Sequence, residues 1–180
     1  MKIKYVWLIT LVVLVSGCGK YTRTQQTYDS QKIDWNLNAD ICARSFFSAT
    51  KNSHRVNIFS KADFSSAPYR FKFWLHSRKA RQHPLLIHSV KITAGDLVIL
   101  EERHSPPITI AIEKGCSTYY NALFSRELGN KLPFKEGLKL ESQVEWEIPG
   151  TRGRQILTTR FTGIETKTQC PIWSSKNKVY

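Results

Sequence analysis

The sequence predicts a mainly β protein: an antiparallel, immunoglobulin-like β-sandwich with one short helix, spanning residues 32–166. The first reason is strict alternation. In 69–76, Tyr69, Phe71, Phe73 and Leu75 fall on one face, with Arg70, Lys72, Trp74 and His76 on the other. In 138–148, Leu138, Leu140, Val144, Trp146 and Ile148 share one side. Period-2 patterns of this kind make half-buried antiparallel strands. The second reason is punctuation. Thr93-Ala94-Gly95-Asp96 and Pro149-Gly150-Thr151-Arg152-Gly153 are turn sequences between apolar runs, and short strands at regular spacing favour a sandwich or barrel. Heptads, internal repeats and low-complexity tracts are absent from the sequence.

Taken in order, the chain opens with Lys2 and Lys4 and then an apolar run over 5–15. That run is shorter than the roughly 20 residues a membrane-spanning helix needs. Small residues and a cysteine follow it, in Leu14-Val15-Ser16-Gly17-Cys18, which is the layout of a secretory signal with its cleavage site. The last part resembles the lipobox of bacterial lipoproteins. The resemblance covers residues 1–18. It implies removal of 1–17, a diacylglyceryl thioether on Cys18 and a further acyl chain on the new amino terminus. One acyl chain holds a protein to a bilayer only marginally, whereas several anchor it firmly. In the enteric pattern an Asp after the cysteine retains a lipoprotein in the inner membrane; Gly19 stands there instead, which implies the outer membrane, facing the periplasm.

Residues 18–31 are polar, with Thr22, Thr24, Gln25, Gln26, Thr27 and Ser30, and read as a tether. Residues 34–50 are ambiguous. Asn38 can cap a short helix over 39–49, and a strand through Ile41 competes with it. Strands follow at 55–59, 69–76, 85–92, 97–101 and 108–112. The period then changes: Tyr119, Tyr120, Leu123, Phe124 and Leu128 recur at helical spacing, Ser117 can cap the start and Gly129 the end, so a short helix is expected here. The hairpin 138–148/155–163 closes the domain, with Ile156 and Phe161 in the core. Residues 167–180 read as a basic carboxy-terminal tail.

The chain carries 27 Lys+Arg and 14 Asp+Glu. Without Lys2 and Lys4 the balance is 25 to 14, or +11, a field that favours acidic partners. The export signal sets nucleic acid aside and points to an acidic protein, with an anionic glycan, lipopolysaccharide or lipid as the alternative. The densest basic run is His76-Ser77-Arg78-Lys79-Ala80-Arg81-Gln82-His83-Pro84, between two expected strands. Loops of this kind often carry binding function. Arg78, Lys79 and Arg81 are the candidate contacts, joined by Arg152 and Arg154 if the two hairpin tips meet. Trp74 is the aromatic whose alternation places it on the outer, charged face, and Trp and Arg are frequent binding hot spots.

Cys42, Cys116 and Cys170 remain after Cys18. An oxidising compartment permits a disulfide. Three cysteines allow three pairings, of which Cys116–Cys170 would tie down the tail and Cys42–Cys116 the amino-terminal segment. No motif in the sequence signals catalysis, a metal or a cofactor, and a periplasmic hydrolase whose site assembles only in three dimensions is the remaining alternative. His54, His76, His83, His88 and His104 form no HExxH pair, and there is no GxSxG and no phosphate-binding glycine loop.

Overall fold

The computed structural model describes residues 20–30, 35–38, 40–56, 60–115, 119–151 and 153–171. The stretch 1–17 read as a signal, Cys18, Cys116, Arg152 and the end of the tail lie outside these residues, and so does the Cys116–Cys170 pairing. The described chain is mainly β. It contains β1 (Lys20–Ser30), β2 (Trp35–Asn38), β3 (Ile41–Val56), β4 (Ser60–Ser77), β5 (Leu85–Ala94), β6 (Leu97–Ile110), β7 (Glu113–Lys114), β8 (Tyr120–Gly129), β9 (Lys139–Glu147) and β10 (Gln155–Pro171).

The strand order is β2-β3-β4-β1-β10-β9-β5-β6, with β8 on β4 and β7 on β8. The sheet is mixed rather than antiparallel throughout: Lys20–Gln25 of β1 runs parallel to Ser60–Ser65 of β4. A parallel pair needs a connection of a dozen or more residues, and here β2 and β3 supply it. Two compact units divide the chain. Unit 1 comprises 1–25, 52–65 and 166–180, and unit 2 comprises 26–51 and 66–165. Unit 1 holds the parallel pair.

In unit 2 the alternation of 69–77 becomes burial. Tyr69, Phe71, Phe73 and Leu75 are buried. In β3, Ile41, Ala43, Ser45 and Phe47 are buried at every second residue, so the strand reading of 34–50 holds and the helix reading does not. The inner rows meet ring on ring, Phe47 against Phe161 at 4.7 Å and Phe73 against Trp146 at 5.8 Å. Tyr28 of β1 joins them, 5.1 Å from Tyr69, and its hydroxyl donates to Pro133 O at 2.9 Å.

Five expectations change. No helix forms among the described residues: Tyr120–Gly129 is β8, antiparallel to Tyr69–Ser77. Ala122, Phe124 and Leu128 point inward, opposite the inner row of β4, and this long-range packing overrides a helical spacing that was only local. Ile156 is 60% exposed, because its neighbours Leu157 and Phe161 take the inner positions opposite Val144 and Leu140. The two short strands expected at 97–101 and 108–112 are one strand, β6, which continues through Pro106-Pro107. Proline is tolerated there because β6 ends the sheet and needs no donor on its outer edge. The stretch 20–30, read as tether, forms β1, and β10 extends to Pro171.

Candidate binding face

The outer face of β3, β4 and β8 places apolar side chains beside cations. Strand alternation sends Arg44 and Phe46 outward from β3, and Arg70, Lys72, Trp74 and His76 outward from β4. Trp74 sits opposite Leu123 of β8, His76 opposite Asn121 and Lys72 opposite Ser125. Leu123 is 48% exposed and Tyr119 39% exposed. A helix at 117–128 would have left both residues elsewhere; the strand puts Leu123 on the outside, next to Trp74.

The cations on this face are held by rings. The Arg44 guanidinium lies 4.2 Å from the Trp74 ring centroid and 5.4 Å from that of Phe46. The Lys72 ammonium lies 5.7 Å from the Phe46 centroid. The Phe46 and Trp74 rings approach edge-on at 6.4 Å, Trp74 and His76 stand 3.8 Å apart, and Tyr119 meets His76 edge-on at 6.3 Å. Each exposed cation–π contact contributes about 0.5–1 kcal/mol. It fixes the position of a charge without neutralising it. Among the described residues neither Arg44 nor Lys72 has a carboxylate partner, whereas Arg70 is paired with Glu127.

The opposite outer face, on β5, β6, β9 and β10, has a different electrostatic character. Its cations meet carboxylates: Arg160 with Glu141 at 3.1 Å, and Arg154 with Glu145 at 3.6 Å and Glu147 at 4.0 Å. A bulge in β5 between Ile87 and Ser89 leaves His88 3.2 Å from Glu147 and lets Ser89 donate to Glu145 at 3.2 Å. His88, Ser89, Glu145 and Arg154 line a cleft of about 540 Å³ together with Lys91, Glu102 and His104. Its charges are largely spent on one another, as on a solvated strand face. Among the described residues no group of three or more His, Cys, Asp or Glu side chains is placed to hold a metal.

The basic loop between β4 and β5 is built on Ser77, which is fully buried. The Ser77 hydroxyl donates to Lys79 O at 2.7 Å and accepts from Arg81 Nε at 3.0 Å. The Arg78 backbone N–H donates to Asp40 O at 2.8 Å, and the Lys79 ammonium donates to the Asp40 carboxylate at 2.8 Å. That hydrogen bond from Lys79 holds the Asp40 carboxyl below its ordinary range. Lys79 and Arg81 are therefore partly engaged inside the loop, while Arg78 stays exposed at the end of the Trp74 and His76 row. The two hairpin tips do meet: a β-carbon on Gly150 would stand 3.4 Å from the His83 ring. Arg154 does not join the loop, because its side chain turns back to Glu145 and Glu147.

Of the residues the sequence nominates, Trp74 lies on this face, and the loop of Arg78, Lys79 and Arg81 follows the end of β4. Arg44, Phe46, Leu123 and Tyr119 were not singled out. Arg44 and Phe46 were legible once 41–47 was taken as a strand, since they share its polar parity. Compared with protein-family models, curated proteins and solved structures, the chain has no match.

Proposed function

We propose that this chain is a non-catalytic envelope lipoprotein. Lipid on Cys18 anchors it in the outer membrane, facing the periplasm, and it binds an acidic protein partner across the outer face of β3, β4 and β8. The observation that carries this reading is the placement of Arg44 and Lys72 on the rings of Trp74 and Phe46 without carboxylate partners. Such a face offers apolar area and uncompensated positive charge together. Protein interfaces are enriched in aromatic residues and arginine and depleted in acidic ones. Steering by the net positive field would speed encounter with an acidic surface. The contact of Phe47 edge-on with Phe161 and of Phe73 with Trp146, between strands distant in the strand order, supports a sandwich of immunoglobulin-like character as the scaffold. An adaptor of an envelope or secretion assembly and a periplasmic immunity protein both fit this description.

The test is affinity purification of the membrane-extracted protein with mass spectrometry of what is retained, beside Trp74→Ala and Arg44→Glu/Lys72→Glu. One defined acidic protein, lost in both variants, supports the reading. A hot-spot truncation costs about 2 kcal/mol or more, which is roughly 30-fold in affinity. Equal recovery in all three samples sinks it. A second reading, an anionic glycan or lipopolysaccharide, is favoured by the Trp74–His76 pair, since flat rings beside cations also suit sugars. Retention on lipopolysaccharide or peptidoglycan, with no protein retained, would decide for it.

A further inference from the structure

The cleft on the outer face of β5, β6 and β9 is balanced in charge only while its histidines are neutral. Lys91, Arg103 and Arg154 line it against Glu101, Glu102 and Glu145, three cations against three carboxylates. Outside the lining, Glu147 beside His88 and Arg126 beside Glu102 balance one another. His88 and His104 also line the cleft and stand outside that balance. Imidazole is the side chain whose ordinary charge change falls between about pH 5 and 8. With both rings protonated the cleft carries two surplus positive charges.

Each ring faces a carboxylate that an arginine already attends. His88 Nε2 lies 3.2 Å from Glu147 Oε2, and Arg154 Nε lies 4.0 Å from the same oxygen. His104 Nε2 lies 3.5 Å from Glu102 Oε2, which accepts from Arg126 Nε at 2.8 Å. His104 Nε2 is buried and makes no hydrogen bond. A proton on either ring puts two cations on one carboxylate and leaves positive charge for a further anion to meet. The His88 side chain is 9% exposed and that of His104 14%, so salt screens this charge less than it screens an open surface.

We infer that this cleft is an acid-activated site for a tetrahedral oxyanion, a phosphate or sulfate group. Its volume, about 540 Å³, is that of a small-molecule site. Its donors converge from β5, β6 and the residue before β10. Arginine meets such oxygens with a planar fork and lysine as a point charge. The site uses no residue of the Trp74 face and does not depend on the lipid anchor. One surplus charge beside a bound anion tightens binding about tenfold in a partly screened cleft.

The test is calorimetric titration of the membrane-extracted full chain with sodium sulfate, at about pH 5.5 and about pH 7.5 and one ionic strength. Sulfate keeps its charge across this range, so a change in affinity belongs to the protein. Binding at least about tenfold tighter at the acid pH is expected. His88→Gln/His104→Gln should lose that gain, with an unfolding midpoint at neutral pH that checks its fold. A second readout uses the unaltered protein: at acid pH, sulfate should move the imidazole NMR signals of His88 and His104. Equal affinity at the two pH values, the same acid gain in the folded double variant, or unmoved imidazole signals would overturn the site. Displacement of sulfate by glucose 1-phosphate assigns the oxyanion to a soluble ligand, and displacement by lipopolysaccharide alone assigns it to the membrane surface.

Discussion

Replacing Gly163 with alanine tests the packing of unit 2 at a single atom. A β-carbon there would stand 2.3 Å from Lys135 O and 3.1 Å from Tyr28 Cε1. Ordinary contact to a carbonyl oxygen begins about 1 Å further out, so either β10 or the segment at Lys135 has to retreat. Neither is free to do so. Gly137 N–H donates to Gly163 O at 2.8 Å, and Gly163 N–H donates to Leu138 O at 2.9 Å. The same connection is held by the Tyr28 hydroxyl on Pro133 O. Overpacking costs about 1–3 kcal/mol, and stretching one backbone hydrogen bond adds about 1 kcal/mol. The expected loss is therefore about 2–4 kcal/mol. With a urea slope of about 2 kcal/mol/M, the midpoint falls by about 1–2 M. Gly95→Ala is the control. A β-carbon at Gly95 meets nothing within 4 Å, and its cost is confined to the positive φ of 60°, about 1–2 kcal/mol. If Gly163→Ala unfolds within 0.5 M of the parent, or no earlier than Gly95→Ala, the close approach of the Lys135 segment to β10 is wrong.

Two further outcomes follow from buried polar groups. Ser142 and Thr159 are cross-strand partners on β9 and β10, both buried, with side-chain oxygens that find no hydrogen-bond partner. Thr159→Val and Ser142→Ala should leave the melting temperature unchanged or raise it, by up to about 1 kcal/mol of stability each; a clear drop would show that the hydroxyls are satisfied in solution. Burial also pushes the phenols of Tyr28 and Tyr69 above the ordinary tyrosine value. A raised folded value means the contribution is complete below about pH 10 and is lost as pH rises toward that folded value. In a spectrophotometric titration of the tyrosines, these two should ionise only as near-ultraviolet circular dichroism reports unfolding. Titration of every tyrosine with the fold intact would refute the burial.

The legible part of this fold is where one period-2 pattern spans a whole strand. The rows 69–75 and 138–148 could be read because burial on one side and charge on the other leave little room for a second register. The stretch 119–128 was misread because Tyr119, Tyr120, Leu123, Phe124 and Leu128 satisfy a helical spacing as well as a strand with an apolar outer face. Only the inner row of β4 chooses between them, and local sequence does not show it. The same ambiguity hid half of the binding face, since an exposed leucine or tyrosine looks like core until its strand is known. Trp74 was legible because its neighbours Lys72 and His76 marked the outer parity. The parallel β1/β4 pair was hidden for a different reason. Lys20–Gln25 and Ser60–Ser65 are polar strands, and polar alternation leaves no apolar stripe to read.

β4 pairs with two strands besides its hairpin neighbour, β1 from before it in sequence over Ser60–Ser65 and β8 from after it over Tyr69–Ser77. This has a kinetic consequence. The hairpins β5–β6 and β9–β10 join neighbours in sequence and can close early. β4 must bring together residues as far apart as Tyr69 and Gly129, and such non-local pairing slows folding. Until β8 is made, the Tyr69–Ser77 edge of β4 stays open, and an open edge is a template for another copy of the same strand. A chain released before β8 is complete would therefore be exposed to edge-to-edge aggregation along Tyr69–Ser77.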